Sequence, residues 1–265
     1  MKPGSVLSRI FTLGFVGFFV VTLQVAGAAE VRVMISGGLS TAYKELVPQF
    51  ERATGNTVLT VYGPSMGNTE NAIPVRLSRD EPADVLIMVG DALGVMIEQG
   101  KAVATSRVDL VRSPIGVAVK AGAPKPDIRT PDALKQALLS AKSVAYSDSA
   151  SGVYVGTELF KHLGIADEMK DKARMIPAEP VAAVVARGEA ELGFQQISEL
   201  LPIPGADLVG PLPAEVQKIT VFSAGLTAKA AQPDAGKALI AFLASPAAAT
   251  AMRKAGLDPF ATDPK

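Results

Sequence analysis

The chain has 265 residues, 48% of them hydrophobic and 20% charged, enough to bury one large core or two smaller ones. It has no Cys and one His, His162, which excludes disulfides, thiolate nucleophiles and Cys or multi-His metal sites and disfavours a Ser-His-Asp triad. Basic and acidic residues balance at 26 each, with no dense basic tract and no aromatic-basic interleaving, so nucleic acid is not an expected partner.

Residues 1–28 read as a cleavable export signal. Lys2 and Arg9 form the basic start, IFTLGFVGFFVVTLQV the apolar middle and AGAAE a small-residue cleavage site after Ala28. An uncleaved membrane anchor is the alternative, opposed by the short run and its Gly, Thr and Gln. No Cys follows that could carry a lipid. Without Lys2 and Arg9, 24 basic residues face 26 acidic ones, a net charge of about −2. The expectation is a soluble protein exported to the periplasm.

Past residue 29, short apolar runs alternate with helical patterns. VRVMI, TVLTVYG and ADVLIMVG predict strands, and residues 40–53, 71–79 and 91–99 predict helices. SPIGVAVKAG (113–122) predicts another strand. TPDALKQALLSA predicts a helix capped by Thr130, with Pro131 at its first position. SVAYSDS predicts a strand ending in a polar loop, and ASGVYVGTELFKHLG a helix stopped by Gly164. PVAAVVARGE predicts a short helix, AELGFQQ a strand, and VQKITVFSAGLT a strand with exposed alternation. PDAGKALIAFLAS and PAAATAMRKAG predict two C-terminal helices. Pro and Gly concentrate at 121–126 and 202–213, which predicts surface loops. This rhythm predicts an α/β fold with mostly parallel sheets and a ligand cleft between two lobes. The expected boundaries are 29–111 plus 223–265 for lobe I and 112–222 for lobe II.

Four segments set small polar residues where a strand gives way to a helix: SGGLS (36–40), GPSMGNT (63–69), SDSASG (147–152) and AEPVAA (178–183). In open α/β sheets ligands sit beyond the carboxyl ends of strands, and helix N-termini suit anions. Several such termini facing one cleft make an anion cage that needs no metal and no cofactor. The same residue types also satisfy helix ends and turns in any fold, so each loop alone supports either reading.

ISGGLSTAYKEL, QFERATGNTV, EPADVLIMV, SASGVYV and VVARGEAELGF carry a resemblance to the periplasmic molybdate-binding proteins and their relatives. It covers nearly the whole mature chain and implies the type II periplasmic binding fold. Molybdate binders hold the oxyanion with two serine hydroxyls, backbone N–H groups and a tyrosine. Carried over, the first serine falls at Gly37 and the second near Ser65, in a longer loop. The alanine that donates its N–H falls at Ser151, the corresponding valine at or beside Val181, and the tyrosine at Gln196. Two side chains of the oxyanion cage are thus missing. With MISGG, GPSMG and GFQQ, the chain looks more like the aconitate isomerase branch of this neighbourhood than like a molybdate binder.

The departures also add groups. Arg76 could grip a carboxylate through two parallel bonds, or be a solvated helix-face residue. Glu179 and Tyr154 are the candidates for proton transfer. Their alternatives are a first-turn acid on a helix dipole and a core Tyr with a satisfied hydroxyl. Gln195 and Gln196 close a strand at the cleft. The expected substrate-binding set is therefore Ser36, Gly37, Gly38, Ser65, Arg76, Ser149, Ser151, Val181, Gln195 and Gln196. The resemblance implies a monomeric, cofactor-free isomerase that interconverts cis- and trans-aconitate by an allylic proton shift. The alternative is a solute-binding subunit that hands a small carboxylate or oxyanion to an ABC permease.

Overall fold

Six strands form a first sheet: β1 (Glu30–Ile35), β2 (Thr57–Tyr62), β3 (Val85–Val89), β4 (Val108–Ser113), β10 (Thr220–Leu226) and β11 (Asp258–Pro259). Five form a second: β5 (Ile115–Lys120), β6 (Val144–Ser147), β7 (Ala173–Ile176), β8 (Leu192–Gln196) and β9 (Ala206–Pro211). The strand orders are β11-β4-β10-β3-β1-β2 and β7-β6-β8-β5-β9. This computed structural model describes Met1 and residues 27–260. The export signal expected over 1–28 therefore lies almost wholly outside the described residues.

β2, β1 and β3 run parallel, as do β7, β6 and β8. β10 is antiparallel to β3 and β4, β11 to β4, and β5 to β8 and β9. The sheets are thus mixed rather than mostly parallel. Every antiparallel pair involves β4, β5 or β10, the strands beside the two passages between the sheets. The chain leaves the first sheet at Ser113 and enters the second at Ile115, with Pro114 alone between them. It returns over residues 212–219, between β9 and β10.

Three further segments differ from the sequence expectation. β10 is buried at every residue but Val221, because it lies between β3 and β4, so its exposed alternation does not exist. β9 occupies part of the Pro- and Gly-rich stretch expected to be loop; it is an edge strand, and its Gly210 and Pro211 are tolerated there. β7, also an edge strand, carries too little apolar pattern to be read beforehand.

The helix Gly37–Thr54 shows why the rest of the pattern was readable. Leu39, Ala42, Tyr43, Leu46 and Phe50 fall at helical spacing and are buried against β1, β3 and β10. Each large side chain there contributes about 2–3 kcal/mol of burial. Gly55, at φ 75, stops the helix by donating its N–H to Glu51 O. Thr130 caps the helix Pro131–Ser140 by accepting the Ala133 N–H at 3.2 Å, as its position predicts. The helix that begins at Ala150 passes through one π turn, Val155–Leu159, and ends before Gly164, at φ 65. A separate core around Ile115, Val117, Leu138, Val144 and Phe194 fills the second sheet. The carboxyl ends of β1, β2 and β3 face those of β6, β7 and β8 across a cleft.

Candidate functional site

The cleft has a volume of about 630 Å³, and all four small-polar loops reach it. One wall is the turn Ser36–Gly38, the loop Gly63–Met66 and Val89. The other is Asp148–Ala150, Ala178–Pro180, Gln195, Gln196 and Glu199. The helix Gly37–Thr54 and the helix that begins at Ala150 both start here, so their unsatisfied first-turn N–H groups lie at the cleft. Lys44 is the one cation among the described lining residues, and its Nζ stands 5.2 Å from the centre of the Tyr62 ring.

The hydroxyls divide by what they already do. Ser36 is 4% exposed, caps no helix N–H, and its Oγ has no hydrogen-bond partner among the described residues. Leaving such a group unpaired costs about 1–3 kcal/mol. Ser65 Oγ accepts the Val89 N–H at 2.9 Å, which leaves its own proton to donate. Ser147, Ser149 and Ser151 form a triangle of hydroxyls with oxygens 2.8, 3.1 and 3.4 Å apart. Ser149 lines the cleft, while Ser151 is fully buried behind it.

The glutamines hold protein groups. Gln195 Oε1 accepts the Val181 N–H at 2.9 Å, so that N–H is already taken. The Gln196 amide bridges Ser113 Oγ and Thr220 Oγ1, both at 2.8 Å, tying β8 to the two places where the chain changes sheets. Ala178 is held at φ 59, a costly conformation for a residue with a Cβ, and Asp148 Oδ2 accepts its N–H at 3.2 Å.

Glu199 is absent from the sequence reading. Ser198 Oγ donates to Gly38 O at 2.7 Å, which pins the short helix Ile197–Leu200 against the opposite wall. This brings the Glu199 carboxylate onto Gly37: a Cβ at residue 37 would collide with Oε1. Burial pushes the Glu199 carboxyl up to about 7; a hydrogen bond from Gln195 opposes the rise and the Asp148 charge adds to it. The only prior signal was the missing hydroxyl at Gly37, and nothing in the sequence says what fills that space.

The family profile of bacterial extracellular solute-binding proteins matches residues 31–258. The chain belongs to this family. It is 51% identical over 232 residues to the "Aconitate isomerase" of Pseudomonas sp., covering 88% of each chain. It is 26% identical over 247 residues to the "Molybdate-binding protein ModA" of Azotobacter vinelandii, covering 87% of this chain and 90% of that one. The solved Azotobacter vinelandii periplasmic molybdate-binding protein superposes with a TM-score of 0.68 at 22% identity, over 89% of this chain and 100% of that one. The sulfate-binding protein SubI of Mycobacterium tuberculosis gives 0.69 at 16%, over 88% and 87%. These two likenesses establish the fold.

In this solute-binding protein the remaining expected site residues are placed as follows. Ser36, Gly37, Gly38, Ser65, Ser149, Glu179, Gln195 and Gln196 come together at the cleft. Arg76 does not line it. Its Nη1 pairs with Glu81 Oε1 at 2.5 Å and its Nε donates to Asn71 O at 3.1 Å, so it braces the lengthened second loop from behind. Tyr154 packs in the second core and donates its hydroxyl to Val216 O at 2.7 Å. Glu179 is at the rim, half-exposed and gripped by Arg187. Among the described residues no cluster of three or more His, Asp or Glu could hold a metal ion. The cleft therefore offers hydroxyls, helix N-termini, the Lys44 cation and, in Glu199, one half-buried carboxylate without an ion pair among the described residues.

Proposed function

We propose that this chain is an aconitate isomerase that moves a proton along the allylic system of cis- and trans-aconitate inside the cleft. The observation that carries this is 51% identity to the "Aconitate isomerase" of Pseudomonas sp. over 88% of both chains. The reaction breaks a methylene C–H bond, shifts the double bond by one position and remakes a C–H bond at the far carbon. It consumes nothing and needs no cofactor. Negative charge grows on a substrate carboxylate as the proton leaves, and the two helix N-termini with Ser36, Ser65 and Ser149 are arranged to take it. A small polycarboxylate fits a cleft of this volume.

In this reading lobe I is 29–111 plus 223–265 and lobe II is 112–222. They close about Pro114 and residues 212–219 and so exclude water from the proton transfer. The protein works as a monomer in the periplasm after export through residues 1–28. A second reading rests on the 26% identity to the "Molybdate-binding protein ModA": a subunit that binds a small anion and passes it to an ABC permease. Proton NMR of the metal-free mature chain with excess trans-aconitate separates them. Cis-aconitate beyond one equivalent, formed at a rate proportional to protein, supports the isomerase. Broadened aconitate signals with no conversion support the binding subunit.

A further inference from the structure

We propose that Glu199 is the proton carrier, lifting the proton from the substrate methylene and returning it to the far end of the allyl system. This rests on the isomerase reading and deepens it. Four observations converge on Glu199.

The first is placement. The Ser198–Gly38 hydrogen bond fixes the Glu199 carboxylate over Gly37, beside the N-terminus of the helix Gly37–Thr54 and the unpartnered Ser36 hydroxyl. A base there meets a substrate whose carboxylates are drawn to the same N–H groups.

The second is freedom. Glu199 makes no ion pair among the described residues, whereas the other titratable groups lining the cleft have partners of their own. Glu179 is held by Arg187, Asp148 is exposed and holds the Ala178 N–H, and Lys44 and Tyr62 stand together on the first wall.

The third is chemistry. The two carbons that exchange the proton flank a single carbon, so one carboxylate can serve both. The methylene C–H bond breaks and its proton passes to Glu199. The electron pair spreads over the allyl system and its carboxylate, the double bond re-forms one position away, and Glu199 gives the proton to the other terminal carbon. Glu199 ends ionised, as it began.

The fourth is proton affinity. A carboxyl held at about 7 is an adequate base when ionised and an adequate acid when protonated near neutral pH.

The test follows trans-aconitate conversion by proton NMR and trans-aconitate binding by calorimetry, in the parent chain, Glu199→Gln, Glu199→Asp and Gly37→Ala. Glu199→Gln should bind with little change and lose roughly a thousandfold in kcat. Glu199→Asp should keep measurable turnover, and in the parent the rate should rise with pH through about 7. In Gly37→Ala the atoms nearest the new Cβ belong to the flexible end of Glu199, so the chain should fold, hold substrate and lose kcat as the carboxylate is displaced.

Glu199→Gln turning over within about tenfold of the parent overturns the proposal while leaving the isomerase intact. If Glu199→Gln fails to fold, Gly37→Ala decides: full kcat with an unchanged pH profile overturns it, and lost kcat with retained binding supports it. A parent that binds trans-aconitate without converting it overturns the isomerase reading itself, independently of any variant.

Discussion

Arg187 grips Glu179 with both terminal nitrogens, at 3.0 and 3.1 Å, while its Nε holds Glu189 at 2.6 Å. Glu179 reaches the cleft rim already neutralised, on a half-exposed surface. Such a pair contributes little to stability, and it holds the carboxylate at the rim. Glu179→Gln should therefore leave Tm nearly unchanged and kcat within a few-fold of the parent. Calorimetric melting and NMR turnover check this; a large loss of kcat with retained binding would return proton transfer to Glu179.

Ser36→Ala should separate stability from binding. The hydroxyl is buried and unpartnered in the free protein, so its removal should be neutral or stabilising by about 1 kcal/mol. If the hydroxyl donates to a substrate carboxylate, the same change should weaken aconitate binding by roughly tenfold, about 1.4 kcal/mol. Denaturant titration and calorimetry on one variant read both signs.

Arg76→Ala should act indirectly. It removes the brace on Asn71 O and the pairing with Glu81, costing about 1 kcal/mol of stability. Affinity for aconitate should fall by less than about tenfold, whereas loss of a direct contact to a desolvated carboxylate costs 2 kcal/mol or more, roughly thirtyfold. Calorimetry distinguishes the two.

The free protein should lose stability with rising pH. The Glu199 carboxyl sits at about 7 in the folded chain against an ordinary 4.5, so between these values the folded chain keeps a proton that the unfolded chain has released. The contribution is fully present below about 4.5 and is lost as pH rises through about 7, amounting to up to about 3 kcal/mol. Glu199→Gln should remove this slope and be more stable than the parent at pH 8. Urea titrations at pH 5, 6, 7 and 8 test it.

What the sequence made legible was local. Thr130 as a cap, Gly164 as a stop and the four small-polar loops depend on neighbours a few residues away, and these features fold as their chemistry dictates. The central position of β10 and the meeting of Glu199 with Gly37 depend on which strands pair and on how two sheets face each other. The Ser198–Gly38 bond joins residues 160 apart in the chain, and no spacing rule reaches that far. Arg76 stayed ambiguous for a different reason: its partners Glu81 and Asn71 O lie only five residues away on either side, but they meet its guanidinium only once the second loop has folded.

Gln196 sits where the chain leaves one sheet and where it comes back, with its amide linked to both passages. Twisting one sheet against the other strains both links together, in a buried place where water cannot replace them. The floor of the cleft is thereby a torsion spring as well as a wall. If the two lobes close as proposed, the Gln196 links to Ser113 and Thr220 are the bonds that resist the twist.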